Sequence, residues 1–303
     1  MTWLFFALLA PFLFALTNQI DKILLSRYFT QVKATTLLIY TVIVSIFISI
    51  GIVLFKPSVL NVSLPDAGLM FAAGIIFYFA IAPFIKALSI EEASRVIPIF
   101  QIQPVLAYIF GIVLFAEALS VLQILAGLII VAGALLINLD LDNRRRFKAS
   151  VFGLVLLSCL FYMLESSAFK FVGGNYGFWD AAFYQYLGTA VAGLTVFMTS
   201  RSYRVDFKKV SKEGGAKVIV GAMLSAILSM GGRMAFNYSL LLAPLVMVQL
   251  IQGTQAIFVL LIGTLLAIFI PKYGKENISS RHMTQKIVSI VVVCIGTALL
   301  LLG

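Results

Sequence analysis

The sequence predicts an all-α integral membrane protein whose ten transmembrane helices form two inverted five-helix repeats. Three observations predict it: the composition, the length of the apolar runs, and a likeness between the two halves of the chain. Of the 303 residues, 62% are hydrophobic and only 11% are charged, and mean hydropathy is +1.08. A water-soluble globule carries about 25% charged residues. Too few polar groups are present to coat such a globule, so the outer solvent is lipid. Within lipid every backbone amide needs an internal partner, which leaves helices or a closed barrel. Barrel strands alternate polar and apolar over about ten residues. The runs here are continuously apolar for about twenty, which is a helical span.

The spans are expected at 3–25, 34–55, 67–88, 94–116, 120–138, 150–171, 178–200, 216–240, 243–270 and 284–302. The first lacks a basic leader and a small-residue cleavage site, so it reads as an uncleaved span and not a removable signal peptide. The clearest break is the charged stretch DLDNRRRFK. It gives a first repeat at 1–139, a linker loop at 140–148 and a second repeat at 149–303. Cys159 and Cys294 both fall in apolar runs and read as small core residues, with no disulfide or metal spacing.

The halves overlay in three places. FALTNQID before Lys22 lies on YMLESSAF before Lys170 at an offset of 148, which sets Thr17 on Glu165 and Asn18 on Ser166. The stretch ending QIQPV lies on the one ending QGTQA at an offset of 151, which sets Gln101 on Gln252 and Pro104 on Gln255. VAGALL lies on CIGTALL at 163, which sets Gly133 on Gly296. The extra residues fall in the loop PKYGKENISSRHM, where His282 reads as solvated. Five spans per copy is an odd number, so the second copy enters the membrane from the opposite side. Inverted-topology repeats of this kind recur in secondary transporters.

A net charge of +10 can signal nucleic acid, but here the cations follow the loops and fix topology, so no nucleic-acid partner is expected. Nineteen Lys and Arg residues fall at the odd-numbered loops, from Lys22, Arg27 and Lys33 through Arg144–Arg146 to Lys286. The other side holds only Lys56 and Lys170. Both termini are therefore expected outside the cytoplasm, with the protein in a cell (plasma or inner) membrane.

Two five-span copies, each with a Lys closing its first span, resemble the drug/metabolite transporter superfamily and its EamA-type ten-helix members. The stretch Lys86–Leu119, with Pro104 in mid-helix and Glu117 at its close, resembles the family's third-to-fourth helix region. Gln123–Ile137 resembles its glycine-bearing fifth helix. The second copy departs in having Gln255 at the Pro104 position and no Glu matching Glu117. The expected termini also depart, since familiar members keep both in the cytoplasm. The resemblance implies export or exchange of a small metabolite, often an amino acid or a related compound.

Two charges lie inside spans, Glu165 in the sixth and Arg233 in the eighth. Each costs about 2.5–3.5 kcal/mol near a helix centre on insertion scales. Each sits about seven residues before its span ends, roughly 10 Å deep at 1.5 Å per residue, and both spans run the same way. They read either as a structural ion pair or as a site. In the site reading Arg233 grips a carboxylate or phosphate, and Glu165 meets an amine or carries a proton. Gln249, Gln252 and Gln255 recur every three residues and share a helix face. Gln101 approaches from the fourth span, with Thr17 and Asn18 completing a lining from the first. Tyr184, Gln185 and Tyr186 are weaker candidates. Lys22 and Lys170 read as helix-end caps, Glu117 as a structural residue at a helix–loop junction, and Pro11, Pro83, Pro98 and Pro104 as kink positions.

The resulting expectation is a secondary transporter working by alternating access. Its partners are a small-molecule substrate and the bilayer, its driving force is either a proton on Glu165 or the substrate gradient itself, and its assembly is a monomer or homodimer. No cofactor, metal or nucleophile–base pair is expected, and no enzyme. The alternative is a non-transporting membrane scaffold or receptor subunit.

Overall fold

The computed structural model describes residues 2–27, 34–90, 97–138, 149–269 and 280–302, and every regular element among them is helical. The charged linker 140–148, the stretch 270–279 and loop cations such as Lys33 and Arg95 lie outside the described residues, as does the side chain of Gln101; His282, expected in a loop, falls in the last helix.

The chain runs α1 (Thr2–Arg27), α2 (Leu38–Phe55), α3 (Leu64–Ile90), a 3₁₀ segment (Ile97–Ile102), α4 (Gln103–Phe115), α5 (Val121–Asn138), α6 (Ala149–Tyr176), α7 (Phe178–Thr199), α8 (Arg201–Leu242), α9 (Leu245–Gln252), α10 (Gln255–Phe269) and α11 (Ser280–Leu302). Among the described residues seven segments are long and apolar enough to cross a membrane: Thr2–Leu24, Leu38–Phe55, Leu64–Phe84, Ala149–Tyr176, Phe178–Thr199, Gly215–Leu242 and Leu245–Leu266. The other three expected spans coincide with shorter apolar helices, Gln103–Phe115, Val121–Gly133 and Ile287–Leu302. Bulky apolar side chains such as Phe55, Leu64, Phe47 and Leu302 are exposed, as surfaces that meet acyl chains require.

Local chemistry sets the ends. Ser120 and Gln123 form a reciprocal capping box at the start of α5: the Ser120 N–H donates to Gln123 Oε1 at 2.9 Å, and the Gln123 N–H to Ser120 Oγ at 3.1 Å. Gly177 turns the chain between α6 and α7 at φ +104°, a region that side chains with a Cβ avoid. Gly215, at φ +59°, divides α8 into an amphipathic first part and an apolar second part.

The fourth and ninth spans are not the continuous helices expected from 94–116 and 243–270. The fourth passes from 3₁₀ to α at Ile102–Gln103. Pro104 explains this, because its ring removes an N–H and crowds the carbonyl four residues back. The ninth stops at Gln252 and restarts at Gln255, with the Gly253 and Thr254 N–H groups donating to Leu250 and Ile251 carbonyls at 3.0 Å. Cys294 is also corrected. It is exposed on α11, whereas Cys159 is buried as expected.

Packing is tightest where side chains are missing. A Cβ on Gly74 of α3 would lie 2.1 Å from the Gln185 carbonyl oxygen of α7, and one on Gly188 would lie 2.1 Å from the Phe71 carbonyl oxygen. Backbone therefore meets backbone at this crossing, and Thr189 Oγ1 donates across it to the Gly74 carbonyl at 3.1 Å. In the α5–α11 pair a Cβ on Gly133 would meet the Val293 nitrogen at 3.1 Å, and one on Gly296 the Ile130 nitrogen at 3.0 Å. As one helix advances the other recedes, so this pair is antiparallel. α1 packs along α8, α6 along α3, and α2 along α7.

Candidate functional site

Arg233 and Glu165 meet. Their side chains form an ion pair between α8 and α6; Glu165 has no exposed surface and Arg233 is buried. Glu165 also accepts from Gln185 Nε2 of α7 and from Ser166 Oγ at 3.2 Å. Gln185 is oriented in turn by Asn237, whose Nδ2 donates to Gln185 Oε1 at 2.7 Å. The Arg233 guanidinium lies 4.7 Å from the Phe77 ring centre and 5.0 Å from that of Phe236, contacts worth about 2 kcal/mol when water is excluded. Its Nε makes no hydrogen bond. The backbone places this residue close to α1, since a Cβ on Gly232 would lie 2.9 Å from the Phe14 ring.

The pair borders a cavity of about 290 Å³. Arg233, Ser229 and Phe236 come from α8, Tyr162 and Ser166 from α6, Phe77 and Ile81 from α3, Phe14 from α1 and Gln103 from α4. Gln249 and Gln252 of α9 and Gln255 of α10 complete it. The amides are held loosely: Gln249 Nε2 donates to Gln103 Oε1 at 3.3 Å, and Gln252 Nε2 to the Ala7 carbonyl at 3.5 Å. The three glutamines face the cavity although the helix breaks between the second and third. Both half-helix starts, Gln103 and Gln255, stand at its wall, as irregular backbone at membrane depth must be buried in protein or line a cavity.

Of the residues singled out by sequence, Arg233, Gln249 and Gln252 line the cavity and Glu165 stands behind Arg233. Thr17 and Asn18 do not line it. Thr17 is buried but turns to α8, donating to the Leu13 carbonyl at 3.0 Å and reaching the Ser225 carbonyl at 3.5 Å. Asn18, about 100° further round the helix, is exposed. Gln101 belongs to the 3₁₀ segment. The α1 residue in the wall is Phe14, hidden in the sequence among other apolar residues. Asn237 was findable, because it lies one turn after Arg233 on the same face. Tyr186 is almost fully buried, with its hydroxyl 3.4 Å from the Met230 carbonyl.

A second, partly buried ion pair lies away from the cavity. Lys170 Nζ is 2.7 Å from Glu117 Oε1 and donates to the Leu240 and Ala243 carbonyls at 2.9 and 2.6 Å. Glu117 Oε2 accepts from the Leu245 N–H at 2.8 Å. The pair thus caps the C-terminus of α8 and the N-terminus of α9 with the matching charges. Lys170 was expected to cap a helix end; the end is that of α8, not its own. Lys170→Met should lower the melting temperature, costing about 1–3 kcal/mol because the partly buried Glu117 carboxylate loses its charged partner. Adding Glu117→Gln should recover part of the loss, and a thermal unfolding series reads both. Lys22, the matched residue, is exposed. Among the described residues no group of three His, Cys, Asp or Glu side chains is placed to hold a metal ion.

A buried ion pair beside an amide-lined cavity in a helical membrane domain fits the transporter resemblance, and comparison with known families agrees. Residues 1–139 match the EamA-like transporter family. The match ends just before the charged linker and is consistent with the drug/metabolite transporter superfamily. That family is one of membrane transporters of small molecules and not of enzymes. No curated protein matches the chain. A crystal structure described only as that of a protein is 12% identical and overlays with a TM-score of 0.67, covering 95% of this chain and 95% of the other. At that identity the likeness is one of fold alone.

Proposed function

We propose that the protein is a secondary transporter that exports or exchanges a small metabolite, an amino acid or another compound bearing an anionic group, by alternating access. The observation that carries this reading is the Glu165–Arg233 pair at the wall of a cavity shared by both halves. Ionisable groups within spans are expensive and mark substrate or ion pathways by default. Substrate binds among Arg233, Gln249, Gln252, Gln103 and Tyr162, with Glu165 behind Arg233 as its partner carboxylate.

Several contacts support an inverted pair of five-helix copies spanning the membrane ten times. Gly133 meets Val293 while Gly296 meets Ile130, a reciprocal exchange at the offset of 163 seen in the sequence. The α1–α8 crossing, where Gly232 approaches the Ala10 carbonyl, recurs between α6 and α3, where Ser158 Oγ donates to the Ala80 carbonyl at 2.6 Å. Both broken spans break at matched positions, Ile102–Gln103 and Gly253–Thr254. A pseudo-two-fold axis in the membrane plane makes all three symmetric. Lys56 and Lys170, the two cations on the other side, are each paired with a carboxylate, Asp180 and Glu117. The orientation with both termini outside the cytoplasm is supported by the count of nineteen loop cations against these two.

The test is counterflow of labelled metabolites in proteoliposomes holding the purified protein, with reporter fusions at each end. Saturable, protein-dependent exchange and no cytoplasmic reporter signal are expected. Absence of exchange across a broad metabolite panel would sink the transport reading, and cytoplasmic signal at both ends the orientation.

A further inference from the structure

We propose that the cavity selects substrates of zero net charge, and that Glu165 sets this selection by cancelling the charge of Arg233. The inference rests on the cavity being the substrate site. Arg233 is the only cationic residue in the described wall, and Glu165 already neutralises it. Glu165 is fully buried and, besides the ion pair, accepts hydrogen bonds from Gln185 and Ser166. The rest of the polar wall consists of amides and hydroxyls, groups that bond either sign but balance neither.

A net anion entering this site leaves one negative charge without a counter-ion, and a net cation leaves one positive charge. In the low-dielectric interior of a membrane domain either imbalance is costly. A compound whose charges sum to zero keeps the balance. Its anionic group meets Arg233, the one charged residue of the described wall. Phe77 and Phe236 hold the guanidinium in place, so the donor is fixed before the substrate arrives. An anionic group is therefore accepted when a cationic group or a proton accompanies it.

The experiment compares matched compounds at about pH 7 on alanine, leucine and phenylalanine frameworks: the free amino acid (zwitterion), its N-acetyl derivative (anion) and its amino alcohol (cation). Binding is read by thermal stabilisation of the purified protein, and flux by counterflow in proteoliposomes. Wild type should favour the zwitterion over either charged relative by at least about tenfold. Glu165→Gln should reverse the preference toward the N-acetyl anion, which replaces the missing carboxylate and should restabilise the variant. Glu165→Asp should keep the wild-type ranking.

Wild type that prefers the anion, or a Glu165→Gln variant that folds and keeps the zwitterion ranking, overturns the proposal. So does a lack of binding on every framework. If Glu165→Gln does not fold, the wild-type ranking decides alone. Binding in the expected order without any flux upholds the charge selection and defeats the transport reading instead.

Discussion

Arg233→Ala should reduce substrate flux to near background and destabilise the fold as well. The two effects have one origin. Removing the guanidinium leaves Glu165, with no exposed surface, as an uncompensated buried charge, at a cost of about 3–5 kcal/mol. It also removes the one cationic residue of the described cavity wall. The double variant Arg233→Met with Glu165→Gln separates the effects. Methionine fills the space between the Phe77 and Phe236 rings, and glutamine still bonds Gln185 and Ser166, so thermal stability should return toward wild type. Flux should not return, because no fixed charge then remains to anchor the substrate. Melting curves in detergent and counterflow in proteoliposomes check the two halves of the expectation. Arg233→Ala with flux within about twofold of wild type, a difference of under about 0.5 kcal/mol, would remove Arg233 from the site.

Gly188→Val and Gly74→Val should be the most damaging substitutions among the helix-crossing glycines. At either position the added Cβ would fall 2.1 Å from a carbonyl oxygen of the facing helix. That atom is backbone and cannot swing aside, so α3 and α7 must separate, at about 1–3 kcal/mol or more for overpacking. The Gly74 neighbour is the carbonyl of Gln185, whose side chain holds Glu165. Gly74→Val should therefore weaken substrate binding along with stability. Gly51→Ala and Gly68→Ala are the controls, since nothing lies within 4 Å of a Cβ at either. Alanine there should be neutral or stabilising by up to about 1 kcal/mol. Equal melting temperatures for the Gly188→Val variant and the controls would mean that the crossing is looser than described.

The helical membrane class was legible because it depends on composition and run length, which need no tertiary context. Glu165 and Arg233 were legible for a similar reason: a charge in an apolar run stands out wherever the fold puts it. Their direct pairing was left open by the sequence as one of two readings, since depth along a helix does not fix the facing direction. Phe14 was not legible, because a phenylalanine among many carries no mark of the wall it forms. Thr17 and Asn18 misled because the overlay with Glu165 and Ser166 gives register but not rotation about the helix axis. The breaks at Ile102–Gln103 and Gly253–Thr254 had partial signals in Pro104 and Gly253. Hydropathy averages over such short interruptions and passes them as continuous spans.

The glycine seam between α5 and α11 has a mechanical consequence. Each glycine leaves a notch that a branched side chain of the other helix fills, Val293 at Gly133 and Ile130 at Gly296. A shift along the axis would drive those side chains out of their notches and into the opposing turns. The seam thus behaves as a reciprocal latch that holds the two helices in register.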